Sequence, residues 1–219
     1  MIRLEKATKI MTHKGTRKTI LDNVSVVLKR GKSIGVLGRN GAGKSTLLQL
    51  LAGTLSLDGG RIVRSGKISW PLGFRGSFQG NLTGEQNVRF VARIYGVDTA
   101  ELIEYVEEFA ELGDFFRVPI STYSSGMKAR LAFGVSMGIH FDYYLVDEIT
   151  AVGDANFKQK CQKIFETRLA DSDVIMVSHS TKTIQDYCDS GIVLEKGRVS
   201  FFENIDDAIE QHDKNMRHS

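Results

Sequence analysis

Proline occurs only twice and tryptophan once in 219 residues, and cysteine is limited to Cys161 and Cys188. So little proline excludes a polyproline or collagen-like chain. The two cysteines have no second Cys or His at metal spacing, which excludes a disulfide framework and a zinc site. Each lies in a helix-like stretch, so the expectation is a pair of buried, reduced thiols in a cytosolic protein. Long apolar runs are also missing: the longest are strand-sized, as in Val174 to Val177, whereas a membrane-spanning helix needs about 20 apolar residues. The start, Met1-Ile2-Arg3-Leu4-Glu5-Lys6, is charged and lacks the apolar core of a secretory signal. A chain that stays in the cytoplasm and meets a membrane only through a partner is therefore expected. Charge of one sign is lacking too. Twenty-nine Lys and Arg against 26 Asp and Glu leave +3, with no basic stripe to argue for nucleic acid. What is present, 42% hydrophobic and 25% charged residues, suffices for an ordinary core, and the length suits one domain with at most a sub-domain.

The hydrophobic period changes along the chain. Val24, Val26 and Leu28 alternate with Ser25, Val27 and Lys29, the pattern of a half-buried strand in a small N-terminal β region. An apolar run from Ser33 to Leu37 feeds a glycine-rich loop and a helix over Lys44 to Ala52 that stops at Gly53. Asp58-Gly59-Gly60 turns the chain into a predicted strand pair around Arg61 to Val63 and Lys67 to Trp70. From Thr83 to about Ile139 the period is helical, opened by the capping-box patterns Thr83-Gly84-Glu85-Gln86 and Asp98-Thr99-Ala100-Glu101. Met127, Leu131, Val135 and Ile139 mark the buried face of a helix beginning near Ser125. Then come a strand at Tyr143 to Val146, a helix over Phe157 to Leu169, a strand at Val174 to Val177, a helix from Thr181 to Cys188, a hairpin closed by Glu195-Lys196-Gly197, and a charged helix over Ile205 to Met216. Alternating strands and helices imply an α/β fold with a mainly parallel sheet.

Gly38-Arg39-Asn40-Gly41-Ala42-Gly43-Lys44-Ser45 fits the phosphate-loop pattern, between a predicted strand and a predicted helix. Glycines let backbone N–H groups converge on phosphate oxygens, and the helix adds the positive end of its dipole. Lys44 supplies a point charge for the outer phosphates and Ser45 a hydroxyl suited to Mg²⁺. Asp147 and Glu148 end an apolar strand at its carboxyl edge, where α/β folds bind ligands. An Asp there can hold Mg²⁺ and a Glu can polarise the attacking water, although an acidic pair after a strand is about as often a helix cap. His179 follows the next strand and would reach the same crevice, toward a γ-phosphate. A lone His is more often structural, and the convergence with the other motifs reverses that balance. Tyr123-Ser124-Ser125-Gly126-Met127 places hydroxyls and bare N–H groups at a helix start. It reads either as a serine cap or as a second anion site, which makes sense if nucleotide is sandwiched between two copies.

These segments, with Ala151-Val152-Gly153-Asp154, occur in the order and spacing of ABC ATPases, and the chain resembles that family over nearly its whole length. The resemblance implies a P-loop NTPase of the ABC type with a mainly parallel central sheet, an N-terminal antiparallel β region and a helical sub-domain. It implies one domain over 1–219, with the core at about 1–82 and 140–219 and the sub-domain at about 83–139. ATP and Mg²⁺ are the implied cofactors. Nucleotide contacts would run from Gly38 through Thr46, and Ser45 and Asp147 would hold the metal. Glu148 would be the base and His179 the γ-phosphate sensor. Ser124, Ser125 and Gly126 would act across a head-to-tail homodimer, with Asp154 in the loop joining the subunits. Gln79 is the candidate for the glutamine that links Mg²⁺ to the permease, but it stands closer to Leu82-Thr83 than the family pattern. Tyr123, Ser125 and Met127 replace the usual signature leucine, glycine and glutamine. The aromatic residue that commonly stacks on adenine is not evident in Ile10-Met11-Thr12-His13.

Ser69-Trp70-Pro71-Leu72-Gly73, Phe78 to Gly84, Tyr123 to Met127 and Phe141 to Asp154 are similar to bacterial cell-surface polysaccharide exporters, the capsular ones most of all. This implies a peripheral subunit on the cytoplasmic face of the inner membrane, bound to integral-membrane permease subunits that handle the polysaccharide. Trp70, Phe74 and Phe78, if exposed, would suit the permease groove over Trp70 to Val91. A soluble ABC-type ATPase acting on nucleic acid or ribosomes is the alternative, disfavoured because such proteins carry tandem domains or a coiled-coil insertion. A module without turnover would lack Glu148 or His179, and a GTPase would carry an Asn-Lys-x-Asp motif.

Overall fold

In the computed structural model the chain begins with two long antiparallel strands, β1 (Ile2–His13) and β2 (Thr16–Leu28), followed by β3 (Ile34–Leu37), α1 (Lys44–Ala52) and β4 (Gly59–Arg64). Three helices come next, α2 (Gly84–Tyr95), α3 (Thr99–Ala110) and α4 (Ser125–Gly138). Strands and helices then alternate: β5 (Tyr143–Asp147), α5 (Ala155–Leu169), β6 (Asp173–Val177), α6 (Thr181–Tyr187), β7 (Ser190–Glu195), β8 (Arg198–Phe202) and α7 (Ile205–Arg217). Residues 1–13, 15–72, 78–148 and 155–217 are described. They divide into two units, one of residues 1–71, 141–148 and 172–219, the other of 72–140 and 149–171.

The first unit holds both sheets. One is antiparallel, ordered β2-β1-β4, and the other is ordered β5-β6-β3-β7-β8, parallel except for the β7–β8 hairpin. Strand alternation sorts the second sheet's residues between two faces. Ile34, Val36, Leu145, Ile175, Val177, Ile192 and Leu194 join α1 leucines and the antiparallel sheet in one core. Gly35 and Gly191 point the other way, where Ile184, Ile205 and Ala208 of α6 and α7 fill the space a Cβ would need. The two glycines thus let the terminal helix lie flush on the strand that leads into the phosphate loop.

Lys67 to Trp70 does not pair with β4 as predicted. β4 pairs with β1 instead, from Ile2 opposite Arg64 to Thr8 opposite Gly59, and forms the edge of the antiparallel sheet. Residues 67–70 run beside β5 instead, with Ile68 bridged to Tyr143, Ser69 N donating to the Tyr143 carbonyl at 2.9 Å and Ser69 Oγ accepting from Leu145 N at 2.9 Å. Trp70 is buried at 8% exposure with its ring edge-on to Phe141 at 5.7 Å, so it offers no exposed interface. Phe74, its proposed companion, lies outside the described residues, and Phe78 is half-buried.

The second unit is helical. Thr83 and Gln86 close the capping box at the start of α2, while Asp98 caps α3 by accepting from both Ala100 N and Glu101 N at 2.8 and 2.9 Å. Leu131, Val135 and Ile139 are buried as their spacing predicts, whereas Met127, the first member of that stripe, is only half-buried because it sits in the first turn of α4. Gly134 and Gly138 of α4 let Phe109 and Leu102 of α3 approach closely, and Phe109 packs on Phe133 and Phe157. Arg130 stands 4.2 Å over the Phe157 ring and Lys160 4.9 Å over that of Phe109, cations on aromatic faces.

Candidate nucleotide-binding site

The loop after β3 has three glycines in left-handed territory, Gly38 (φ 154°), Gly41 (φ 75°) and Gly43 (φ 110°). Two of them are also hemmed in. A Cβ on Gly38 would stand 2.6 Å from the Leu194 carbonyl oxygen, and one on Gly43 would stand 2.5 Å from Ile20 Cγ2. Only glycine satisfies both constraints. The Lys44 ammonium folds back over the loop, donating to the carbonyls of Gly38 at 2.7 Å and Arg39 at 3.2 Å. Burial pushes its pKa down, and the Asp147 carboxylate pushes it back up. The Asp147 carboxylate at the end of β5 thus acts electrostatically on the Lys44 ammonium. Asn40, Gly41 and Ser45 are exposed, and Arg39, Ala42 and Thr46 half-buried.

Strand register gathers the remaining groups of this unit. Asp147 lies opposite Val177 on the neighbouring parallel strand, and Glu148 N donates to the Val177 carbonyl at 2.9 Å. Gly35 is level with Met176, so three residues further along come Gly38, just past the end of β3, and His179, two residues past the end of β6. Asp147, Glu148 and His179 thus occupy the same carboxyl edge as the phosphate loop. Glu148 and His179 are exposed. Glu148 has φ 62°, a left-handed conformation unusual for a side chain of its size, at the end of an otherwise regular strand.

The helical unit carries the other predicted residues. Ser124 is the N-cap of α4, its Oγ accepting from Met127 N at 3.2 Å. The simple capping role is thus real, and among the described residues the Ser124 hydroxyl proton and the first-turn amides of Ser125 and Gly126 have no hydrogen-bond partner. Tyr123, in the usual leucine position, is buried and its hydroxyl donates to the Phe115 carbonyl. Gln79 is exposed, with its backbone pinned by Asn87, whose Oδ1 accepts from Gln79 N at 2.8 Å and whose Nδ2 donates to Gln79 O at 3.1 Å. Asp154 lies outside the described residues.

Sequence reasoning missed Lys18 and Asn87. Lys18 Nζ donates to the Gly41 carbonyl, and Ile20, two residues on and on the same strand face, underlies Gly43, so β2 supports the loop from beneath. Neither residue has a motif to announce it. Asn87 does leave a trace: it is a polar residue, 1% exposed, on the buried stripe of α2 with Val88 and Val91.

The family model for ABC transporters matches residues 21–151. The chain belongs to the ABC transporter ATP-binding family. It is 48% identical to a polysialic acid transport ATP-binding protein, KpsT, of Escherichia coli, across 99% of this chain and 100% of that one. Identity is 49% to the capsule polysaccharide export ATP-binding protein CtrD of Neisseria meningitidis, across 97% and 98%. It is 46% to the ATP-binding protein BexA of Haemophilus influenzae, across 99% and 100%. In structure, the dimeric post-hydrolysis state of the ATP-binding cassette MJ0796 bound to ADP and Pi superposes with a TM-score of 0.74 at 19% identity, covering 94% of this chain and 99% of that one. This ABC cassette is an ATP-binding ATPase subunit of a transporter. Its fold is that of ABC cassettes, and among the described residues no helix is long and apolar enough to cross a membrane.

Proposed function

We propose that this cassette hydrolyses ATP to drive export of a capsular or related cell-surface polysaccharide across the bacterial cytoplasmic membrane. It would work as a peripheral homodimer beneath permease subunits on the cytoplasmic face. The observation that carries this reading is whole-length identity of 46–49% to three proteins, two of them named for capsule or polysialic acid transport. The carboxyl-edge cluster supports the chemistry. In this reading the amides of residues 38–46 and the positive end of α1 hold the phosphates, and Lys44 turns from the Gly38 and Arg39 carbonyls onto them. Glu148 takes the proton of the attacking water, and His179 donates to the γ-phosphate.

The oxygen donors fit Mg²⁺. Ser45 brings an exposed hydroxyl and Asp147 a carboxylate close enough to influence Lys44, a small set of hard ligands of the kind Mg²⁺ takes beside nucleotide phosphates. The ion would neutralise phosphate charge, with Gln79 a further candidate ligand. Ser124, Ser125 and Gly126 of a second copy would close over the nucleotide with their free hydroxyl and amides, and Asp154 would line the dimer contact.

Co-purification from membranes tests the assignment, combined with glycan analysis of a deletion strain. The expected result is recovery with a polytopic permease and loss of surface polysaccharide, with polymer retained inside the cell. Recovery with ribosomes or DNA, with surface glycan intact, overturns it.

A further inference from the structure

His212 belongs to no motif of the sequence, yet it stands behind the phosphate loop. Ile205 of α7 packs against Gly35, and Ala208 against Gly191. One turn further, on the same helix face, comes His212. β7 ends alongside at Glu195, and Gly38 rests against the Leu194 carbonyl immediately before it. At this level Nδ1 of His212 is shut off from solvent without a hydrogen-bond partner among the described residues, and so is Oε2 of Glu195. Two orphaned polar atoms in one region are costly and call for an explanation.

The charges acting on His212 supply one. Burial is the largest influence and lowers its pKa. Lys44 and Arg39 from the loop also lower it, while Glu195 of β7 and neighbouring Asp213 raise it. α6 and β8 also pack against α7 but supply none of these groups. An imidazolium here would satisfy Glu195, and it is opposed by the two loop cations. A phosphate chain on the loop would offset exactly those cations.

We propose that His212 is a positioning residue whose protonation is linked to nucleotide phosphate: anions on the loop favour an imidazolium that engages Glu195 and braces the back of the loop. The proposal rests on the reading of residues 38–46 as the phosphate site. By reciprocity, nucleotide binding takes up a proton at His212, and acidification through the imidazole range strengthens binding.

The test uses MgADP, which lacks the γ-phosphate assigned to His179, with calorimetry in two buffers of different ionisation enthalpy. Wild type should take up more protons on binding than His212→Gln, and its affinity advantage over that variant should grow about fivefold from pH 8 to pH 6. Glu195→Gln, a milder change, should move the wild-type profile to lower pH. Matching urea midpoints for wild type and variants would show that folding is preserved. Equal proton uptake and parallel affinity profiles in wild type and both variants overturn the proposal. Undiminished MgADP affinity in Lys44→Ala would instead overturn the phosphate-site reading itself, so the two failures are distinguishable.

Discussion

Removing the Glu148 carboxylate should separate binding from chemistry. Glu148→Gln keeps the shape and the strand-end hydrogen bond of its backbone to Val177 but cannot take a proton, so turnover should fall by about a hundredfold or more with ATP affinity retained. Steady-state phosphate release beside equilibrium nucleotide binding checks both halves. Lys44→Ala should instead weaken binding. The cysteines make a contrasting prediction. Burial pushes the Cys161 thiol up to about 11 and that of Cys188 to about 12, so both are neutral near pH 8 and alkylation by iodoacetamide should be slow until the protein unfolds. Because these pKa values are raised in the folded state, their stabilising contribution is complete below about pH 9 and is lost as pH climbs toward 11 and 12. A urea midpoint that falls over that alkaline window is the expected signature.

Among the elements, the close approach of α7 to its sheet should be intolerant of even a methyl group. Gly191→Ala sets a Cβ against that of Ala208 and should cost about 1–3 kcal/mol in urea denaturation. Asp98→Ala, by contrast, removes only the cap of α3 and should cost about 1 kcal/mol with hydrolysis unchanged. The same contrast explains which elements were legible in the sequence. α1 runs from Lys44 to Ala52 as predicted because Gly43 and Gly53, both left-handed, bound it locally. The Thr83 capping box, the α4 stripe and the P-loop are likewise written in short-range spacing. Residues 67–70 look like a strand, and Ile68 and Ser69 do line up with one, but strand composition says nothing about the partner, and the partner is β5 rather than β4. The burial of Trp70 depends on Phe141, 71 residues away in sequence, and the supports from Lys18 and Asn87 likewise arise only in the folded chain.

At the scale of the assembly, the motifs divide between two units of the chain: the phosphate loop, Asp147, Glu148 and His179 in one, Ser124 to Gly126 in the other. If each active site joins the first set of one copy to the second set of another, defects in different sets should complement. Lys44→Ala and Gly126→Asp are each expected to be inactive alone, and among the described residues a Cβ on Gly126 would meet only Ser124 Oγ, at an ordinary contact distance of 3.8 Å. Their equimolar mixture should recover about a quarter of wild-type turnover, because half the dimers are mixed and each mixed dimer holds one intact site. No recovery, despite mixed dimers shown by native mass spectrometry, would argue against a shared site. The left-handed backbone at Glu148 has a consequence for the evolution of such a molecule. That conformation costs a glutamate about 1 kcal/mol that glycine would escape. A laboratory selection for heat resistance alone should therefore drift toward Glu148→Gly, yielding a hardier cassette with its engine disconnected. Continued demand for turnover is what would hold the glutamate in place.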